Sequence, residues 1–157
     1  MNQNNNTIAS SYEFPRVKKT IQNRTVLAAM TNKQSYNNGI MSKEEIDWLT
    51  ERAKGNFGII TTAATNVSIE SKAWNGEFGV YDDIHIPSLQ KLTESIHKTE
   101  SLIFAQLFHG GMRCPEKITG RTPISASILE CKESETGFSK AASIQDINKI
   151  IDDFTSA

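Results

Sequence analysis

Cysteine is scarce in this 157-residue chain, and the two that it has, Cys114 and Cys131, stand far apart, form no C-x-x-C and follow no secretion signal. A disulfide framework is thereby excluded as an organising principle, and reduced thiols in a cytoplasmic protein are the expectation. Long apolar runs are missing as well. No window approaches the ~18 residues that a membrane-crossing helix needs, and the polar start MNQNNNTIASSYEF has no apolar signal core. Neither sign of charge is in surplus: 17 basic residues against 18 acidic ones leave a net charge of −1, and the only local basic cluster is Arg16, Lys18 and Lys19. A nucleic-acid footprint and a polybasic membrane anchor are therefore not expected. The three histidines, His85, His97 and His109, contain no i, i+4 pair of the kind a helical metal site wants. The glycines spell neither G-x-G-x-x-G nor a P-loop, which sets aside Rossmann and NTPase functions. A strand followed by His-Gly-Gly would suit the oxyanion loop of an α/β-hydrolase, but that chemistry needs a G-x-S-x-G elbow, and none is present.

What the sequence does have is alternation. Residues 1–22 read as an N-terminal arm, Asn-rich and loosely ordered before Phe14, and 23–157 as one α/β unit. Thr25 to Met30 (TVLAAM) reads as a short buried strand. The helix that follows begins with an S-x-x-E capping box at Ser42 and Glu45, carries Ile46, Leu49 and Ala53 on one face, and can stop at Gly55. The pattern then repeats: FGIITTAATNV is rich in β-branched residues, and Pro87 opens a helix with Leu89, Leu92 and Ile96 on one face. SLIFAQLFH is the third strand, and Ser143 with Asp146 begins a last helix striped by Ile147, Ile150, Ile151 and Phe154. Three strand–helix units in a row argue for a parallel sheet. Between the third strand and the last helix, Gly110 to about Ala142 reads as a long, solvated surface loop, with Arg113, Cys114 and Arg121 outside any site. The last helix has no stop signal after Phe154 and no basic residue in its final turn. The expectation is an N-terminal portion of something larger.

In parallel α/β folds ligands gather at the C-terminal ends of the strands. All three strands change character there: the first passes through Ala28, Ala29 and Met30 to Thr31, the second through Thr62, Ala63, Ala64 and Thr65, the third through Gln106 to His109. Small residues leave room for a flat heterocycle. A glutamine amide offers a donor and an acceptor side by side, matching the N–H and C=O edge of a pyrimidine-like ring, and a threonine hydroxyl can donate to a second carbonyl. Each residue also has a bland reading, Gln106 as an amide satisfied by nearby backbone and Thr31 as a strand-end turn residue. For His109 a structural role is expected ahead of catalysis.

Four segments, NRTVLAAMTNKQS, RAKGNFGIITTAATNV, YDDIHIPSLQKLTESIHK and AQLFHGGMR, in this order and with the right elements between them, resemble the N-terminal third of the Old Yellow Enzyme family, the FMN-dependent NAD(P)H oxidoreductases and ene-reductases. The resemblance runs from about Asn23 to the end. It implies an α/β fold of the parallel (β/α)8 TIM-barrel type, which typically takes roughly 250 residues, with only about the first three βα units in this chain. It implies FMN as cofactor, NAD(P)H as reductant and a small-molecule electron acceptor such as an activated alkene. By position, it sets Ala28, Ala29 and Met30 near the isoalloxazine, Thr31 at the flavin C4 carbonyl, Ala64 against the cofactor and Gln106 on its pyrimidine edge.

Departures from the family pattern are visible. Ala29 stands where the family usually has proline, Ala63 where many members have glutamate, and HGGMR is one residue longer than the commoner H-A-G-R, which leaves Arg113 without a carried-over role. The family's carbonyl-activating His/His or His/Asn pair, its proton-donating Tyr and its phosphate-holding late loops would all follow Ala157. No catalytic residue is therefore assigned in this chain, and alone it is expected to be weak or inactive. The alternative is a non-catalytic partial barrel that associates with itself, as a homo-oligomer, or with a complementary fragment, because three strands of an open sheet leave an unpaired edge and an uncovered apolar face.

Overall fold

The computed structural model describes residues 7–157. Residues 1–6 of the expected loose arm lie outside the described residues. The rest of the arm forms an antiparallel hairpin, β1 (Tyr12–Phe14) with β2 (Lys19–Ile21). The Arg24 guanidinium, 4.8 Å from the centre of the Tyr12 ring, lies over this hairpin.

The three expected units are present. The first strand, β3 (Val26–Leu27), is shorter than Thr25 to Met30, because it pairs only with Ile59 and Ile60 and the chain beyond Leu27 has no ladder partner. Helix α1 (Lys43–Lys54) starts on Ser42, whose hydroxyl accepts the Glu45 N–H at 3.1 Å. Only this half of the expected capping box forms. The Ser42 N–H donates to Ser35 Oγ at 3.2 Å, and the Glu45 carboxylate accepts from that same Ser35 hydroxyl. Ser35 thus stands between the two partners and ties the preceding loop to the helix start. Gly55 ends α1 and Asn56 follows at φ 72°.

Strand β4 (Ile59–Asn66), helix α2 (Ile86–Ile96) with Pro87 in its first turn, and strand β5 (Leu102–Phe108) complete a parallel sheet in the order β3-β4-β5. Both helices lie on one face. Leu27, Ile60 and Ala63 from the sheet meet Ile46, Leu49 and Ala53 of α1 and Leu92 and Ile96 of α2, with Met41 and Phe78 closing the core. Burying such side chains contributes roughly 1.5–3 kcal/mol each, an upper estimate against a fully extended chain. The other face is uncovered among the described residues: Val26 is 52 % and Phe104 53 % exposed.

The polar segment after β5 is folded rather than a solvated loop. It contains α3 (Glu116–Thr119) and two short parallel strands, β6 (Ile124–Ser125) and β7 (Lys140–Ala141). One carboxylate holds its middle. Glu116 accepts from the Thr122 hydroxyl (2.8 Å), the Ser134 hydroxyl (2.9 Å) and the Glu135 N–H (2.8 Å), and these bonds, that of Glu135 first, hold its pKa below the usual carboxylate value. Helix α4 (Ile144–Ser156) has the full reciprocal capping box of Ser143 and Asp146, yet Ile147, Ile151 and Phe154 of its apolar stripe are exposed. Among the described residues no helix is long and apolar enough to cross a membrane.

Candidate functional site

Register decides which side chains share the uncovered face. Val26 pairs Ile59, Ile59 pairs Leu102, Thr61 pairs Phe104 and Ala64 pairs Gln106. Paired residues of neighbouring strands point to the same side and residues alternate along each strand. Val26, Ile59, Thr61, Phe104, Ala64 and Gln106 therefore form rows away from the helices, while Leu27, Ile60 and Ala63 face them. The structure thus brings Ala64 and Gln106 side by side, near the C-terminal ends of their strands. Ala28, Ala29, Met30 and Thr31 continue from β3, across β4 from Gln106, and are not in a ladder. Thr31, Met30, Ala28 and Gln106 are exposed, Ala29 is half-buried and Ala64 is buried. Neither the Gln106 amide nor the Thr31 hydroxyl bonds to another described side chain or backbone group; Gln106 is thus not an amide satisfied by nearby backbone, while Thr31 lies beyond the strand end, as its bland reading has it. The wall has small residues in its middle strand and polar groups free to bind on either side of it.

A bulge makes this arrangement. From Thr61 to Ala64 β4 advances three residues while β5 advances from Phe104 to Gln106, so Thr62 and Ala63 stand against Ala105 alone. Sequence reasoning missed the consequence: the Gln106 N–H donates to Thr62 Oγ1 at 3.1 Å, and Thr62 Oγ1 also lies 2.8 Å from the Ala63 carbonyl and 3.2 Å from Thr65 Oγ1. No signal in an isolated Thr-Thr pair announces this, since it depends on the register of a strand forty-odd residues away.

The loops beyond the strands are tied to one another. Between the loop after β3 and the loop after β4 run Ser35 N–H to the Gly76 carbonyl (3.1 Å), Gly79 N–H to the Gly39 carbonyl (2.9 Å), Lys72 Nζ to the Asn37 carbonyl, and the His85 Nε2 to Asn38 carbonyl contact (3.1 Å). Gly76 sits at φ +82°, and a Cβ there would lie 2.4 Å from the Lys33 carbonyl oxygen, so glycine is required for the approach. Beneath it, Glu77 is only 2 % exposed; its Oε2 accepts the Ala73 N–H at 2.8 Å and its Oε1 has no partner among the described residues. Burial pushes the Glu77 pKa up to about 7, and burial lowers that of neighbouring Lys72.

The remaining polar candidates have structural partners. His109 Nδ1 accepts the Gly111 N–H at 3.0 Å, and burial lowers its pKa, which together favour a neutral ring carrying its proton on Nε2. Cys114, expected on a solvated loop, is buried against Gly110, and burial pushes its thiol up to about 12. Cys131 Sγ donates to the Met112 carbonyl at 3.0 Å. A cavity of about 570 Å³ opens beside His109, but its cations are spent on carboxylates: Arg121 on Glu70 (3.3 Å), Lys149 on Glu70 (3.4 Å) and Asp153 (2.8 Å), and Lys140 on Asp146 (2.7 Å). No group of three or more His, Cys, Asp or Glu side chains among the described residues could hold a metal ion.

Comparison with known proteins gives the family and the fold. A model of the NADH:flavin oxidoreductase / NADH oxidase family matches residues 16–157. The probable NADH-dependent flavin oxidoreductase YqiG of Bacillus subtilis is 36% identical over 99 residues, covering 63% of this chain and 26% of that protein. An NADPH dehydrogenase of Bacillus cytotoxicus is 28% identical over 136 residues, covering 78% and 39%. Among solved structures, the old yellow enzyme homologue from Zymomonas mobilis superposes with a TM-score of 0.85 at 22% identity, over 96% of this chain and 43% of that one. These likenesses establish the fold as the first three units of a (β/α)8 barrel, and the chain spans less than half the length of each of these relatives.

Proposed function

The chain belongs to the NADH:flavin oxidoreductase / NADH oxidase family, and on that premise we propose that it forms the N-terminal wall of the FMN site of an Old Yellow Enzyme-type oxidoreductase. FMN supplies the relay by which hydride from NAD(P)H reaches a small-molecule acceptor such as an activated alkene. The protein's part is to bind and orient. Gln106 offers its amide to the pyrimidine edge and Thr31 its hydroxyl to the C4 carbonyl, while Ala28, Ala29, Met30 and Ala64 give the ring a surface without bulk.

One observation carries the reading: Ala64 and Gln106 are paired in register on the uncovered face of the sheet. A small side chain beside an unengaged amide suits a flat ring with adjacent donor and acceptor atoms, and a purely structural wall would have filled that row. None of the three histidines supplies a carbonyl-activating pair: His85 and His109 are engaged with backbone and His97 lies at the end of α2. We expect the isolated chain to bind flavin better than it turns over. The buried free cysteines suit a reducing, cytoplasmic setting. The exposed stripe of α4 supports association of the chain with itself or with a complementary fragment.

The test is retention of FMN by the purified 157-residue chain through gel filtration, read by flavin absorbance and fluorescence. Stoichiometric flavin that is lost in Gln106→Ala is the expected outcome, since two neutral hydrogen bonds contribute roughly 1–3 kcal/mol. Absence of retained flavin, or retention that is indifferent to Gln106, overturns the reading.

A further inference from the structure

Thr62 has no assigned role in the site proposed above, yet it is the residue on which Gln106 hangs. Backbone groups of the even-numbered residues of β5 aim at β4: the Leu102 N–H donates to the Gly58 carbonyl at 3.0 Å, and the Phe108 carbonyl accepts the Val67 N–H at 3.2 Å. The Gln106 N–H points the same way. There the ladder is irregular, with Thr62 and Ala63 standing against Ala105 alone. The Thr62 hydroxyl accepts the Gln106 N–H at 3.1 Å, and is itself buried and fixed between the Ala63 carbonyl and Thr65 Oγ1. A hydroxyl can do this because it accepts one bond while donating another; an isosteric valine can do neither.

We propose that Thr62 is a positioning residue for flavin: by accepting the Gln106 N–H at the bulge, it fixes the backbone of Gln106 and so the direction of its side-chain amide. The proposal rests on the reading of Gln106 as an FMN ligand. Thr62 itself does not touch the ring, because its hydroxyl is occupied within the sheet. Its effect on flavin then travels through Gln106, which separates it from a general contribution to folding.

The experiment is a double-mutant cycle on FMN affinity in the full chain, with Thr62→Val, Thr62→Ser, Gln106→Ala and the Thr62→Val/Gln106→Ala pair, alongside amide hydrogen exchange of Gln106 without flavin. Thr62→Val is expected to weaken FMN roughly tenfold, the loss of about one well-made hydrogen bond. Thr62→Ser is expected to stay within about twofold of the parent, because the hydroxyl is restored. In the Gln106→Ala background Thr62→Val should add less than about twofold, as an effect transmitted through Gln106 must. An equal loss in both backgrounds overturns the proposal, since a merely structural role would act whether or not Gln106 is present. Should the parent chain fail to retain FMN, the functional reading of the site falls, and hydrogen exchange still decides the Thr62 link. Faster exchange of the Gln106 amide in Thr62→Val but not in Thr62→Ser upholds the positioning role, and unchanged exchange in both overturns it.

Discussion

Glu77 offers a stability test that needs no ligand. Its carboxyl is almost fully buried beneath the loop that follows β4, one oxygen is bonded to the Ala73 N–H, the other has no partner among the described residues, and burial raises its pKa from 4.5 to about 7. The sign follows from proton counting. Between these two values the unfolded chain has released the proton and the folded chain still holds it, so stability falls as pH rises and levels off above the folded pKa. With one unit equivalent to ~1.4 kcal/mol, the loss attributable to this one group between about pH 4.5 and pH 8 is about 3 kcal/mol. Glu77→Gln keeps the shape and cannot ionise. Compared with the parent, it should lose a little at pH 4.5, where it sets an amide N–H at the unpartnered position. By pH 8 the difference should move in the variant's favour by about 3 kcal/mol, less whatever Lys72 loses with its anionic neighbour. Urea unfolding followed by the fluorescence of Trp48 and Trp74, at low protein concentration and several pH values, measures both profiles. Groups that titrate alike in the two proteins cancel in the difference. A difference that stays flat within ~0.5 kcal/mol from pH 5 to pH 8 would refute the burial argument, because it would mean that Glu77 ionises in the fold as it does in water.

Two further outcomes are expected. Cys114 and Cys131 are both buried, and burial pushes the Cys114 thiol up to about 12, so at pH 8 iodoacetamide should leave the native chain unmodified while it alkylates both thiols in urea; rapid labelling of the native chain would contradict the packing around Gly110 and Met112. The exposed Ile147 and Ile151 of α4 should make the chain associate as its concentration rises, and Ile147→Lys/Ile151→Lys should shift sedimentation towards the monomer with helix content kept; a parent chain that sediments as a monomer throughout would remove the basis for self-association.

Helices were the legible part of this fold because their signals are local. Ser143 with Asp146, Pro87 and Gly55 mark ends that the structure has within a residue or so, and the stripes Ile46–Leu49–Ala53 and Leu92–Ile96 are buried as their spacing requires. Strands were legible as runs but not in extent. Nothing in TVLAAM says that pairing stops at Leu27, since that is set by where β4 leaves its regular register. Ser35 was invisible in the same way: the S-x-x-E pattern named the partners of a capping box and could not foresee a third residue between them. In the candidate site, the small and polar residues at the strand ends were readable one strand at a time, whereas the pairing of Ala64 with Gln106 and the bond from Gln106 to Thr62 exist only across strands. Charge misled after β5: the polar run expected as a solvated loop folds because Glu116 gathers three donors that a sequence pattern does not connect. Nor does the sequence show that Lys72 and Glu77, in the loop after β4, are buried.

The four ties between the loops after β3 and β4 bear on kinetics as well as shape. Ser35 to Gly76, Gly79 to Gly39, Lys72 to Asn37 and His85 to Asn38 bind the segment that continues from Thr31 to the segment that continues from Ala64. Each tie crosses from one loop to the other, so neither loop can lift by itself without breaking several of them at once. On the proposed reading of the site, flavin entering past these loops would meet one collective opening instead of two independent flaps, and a substitution in either loop would then be expected to change the motion of both.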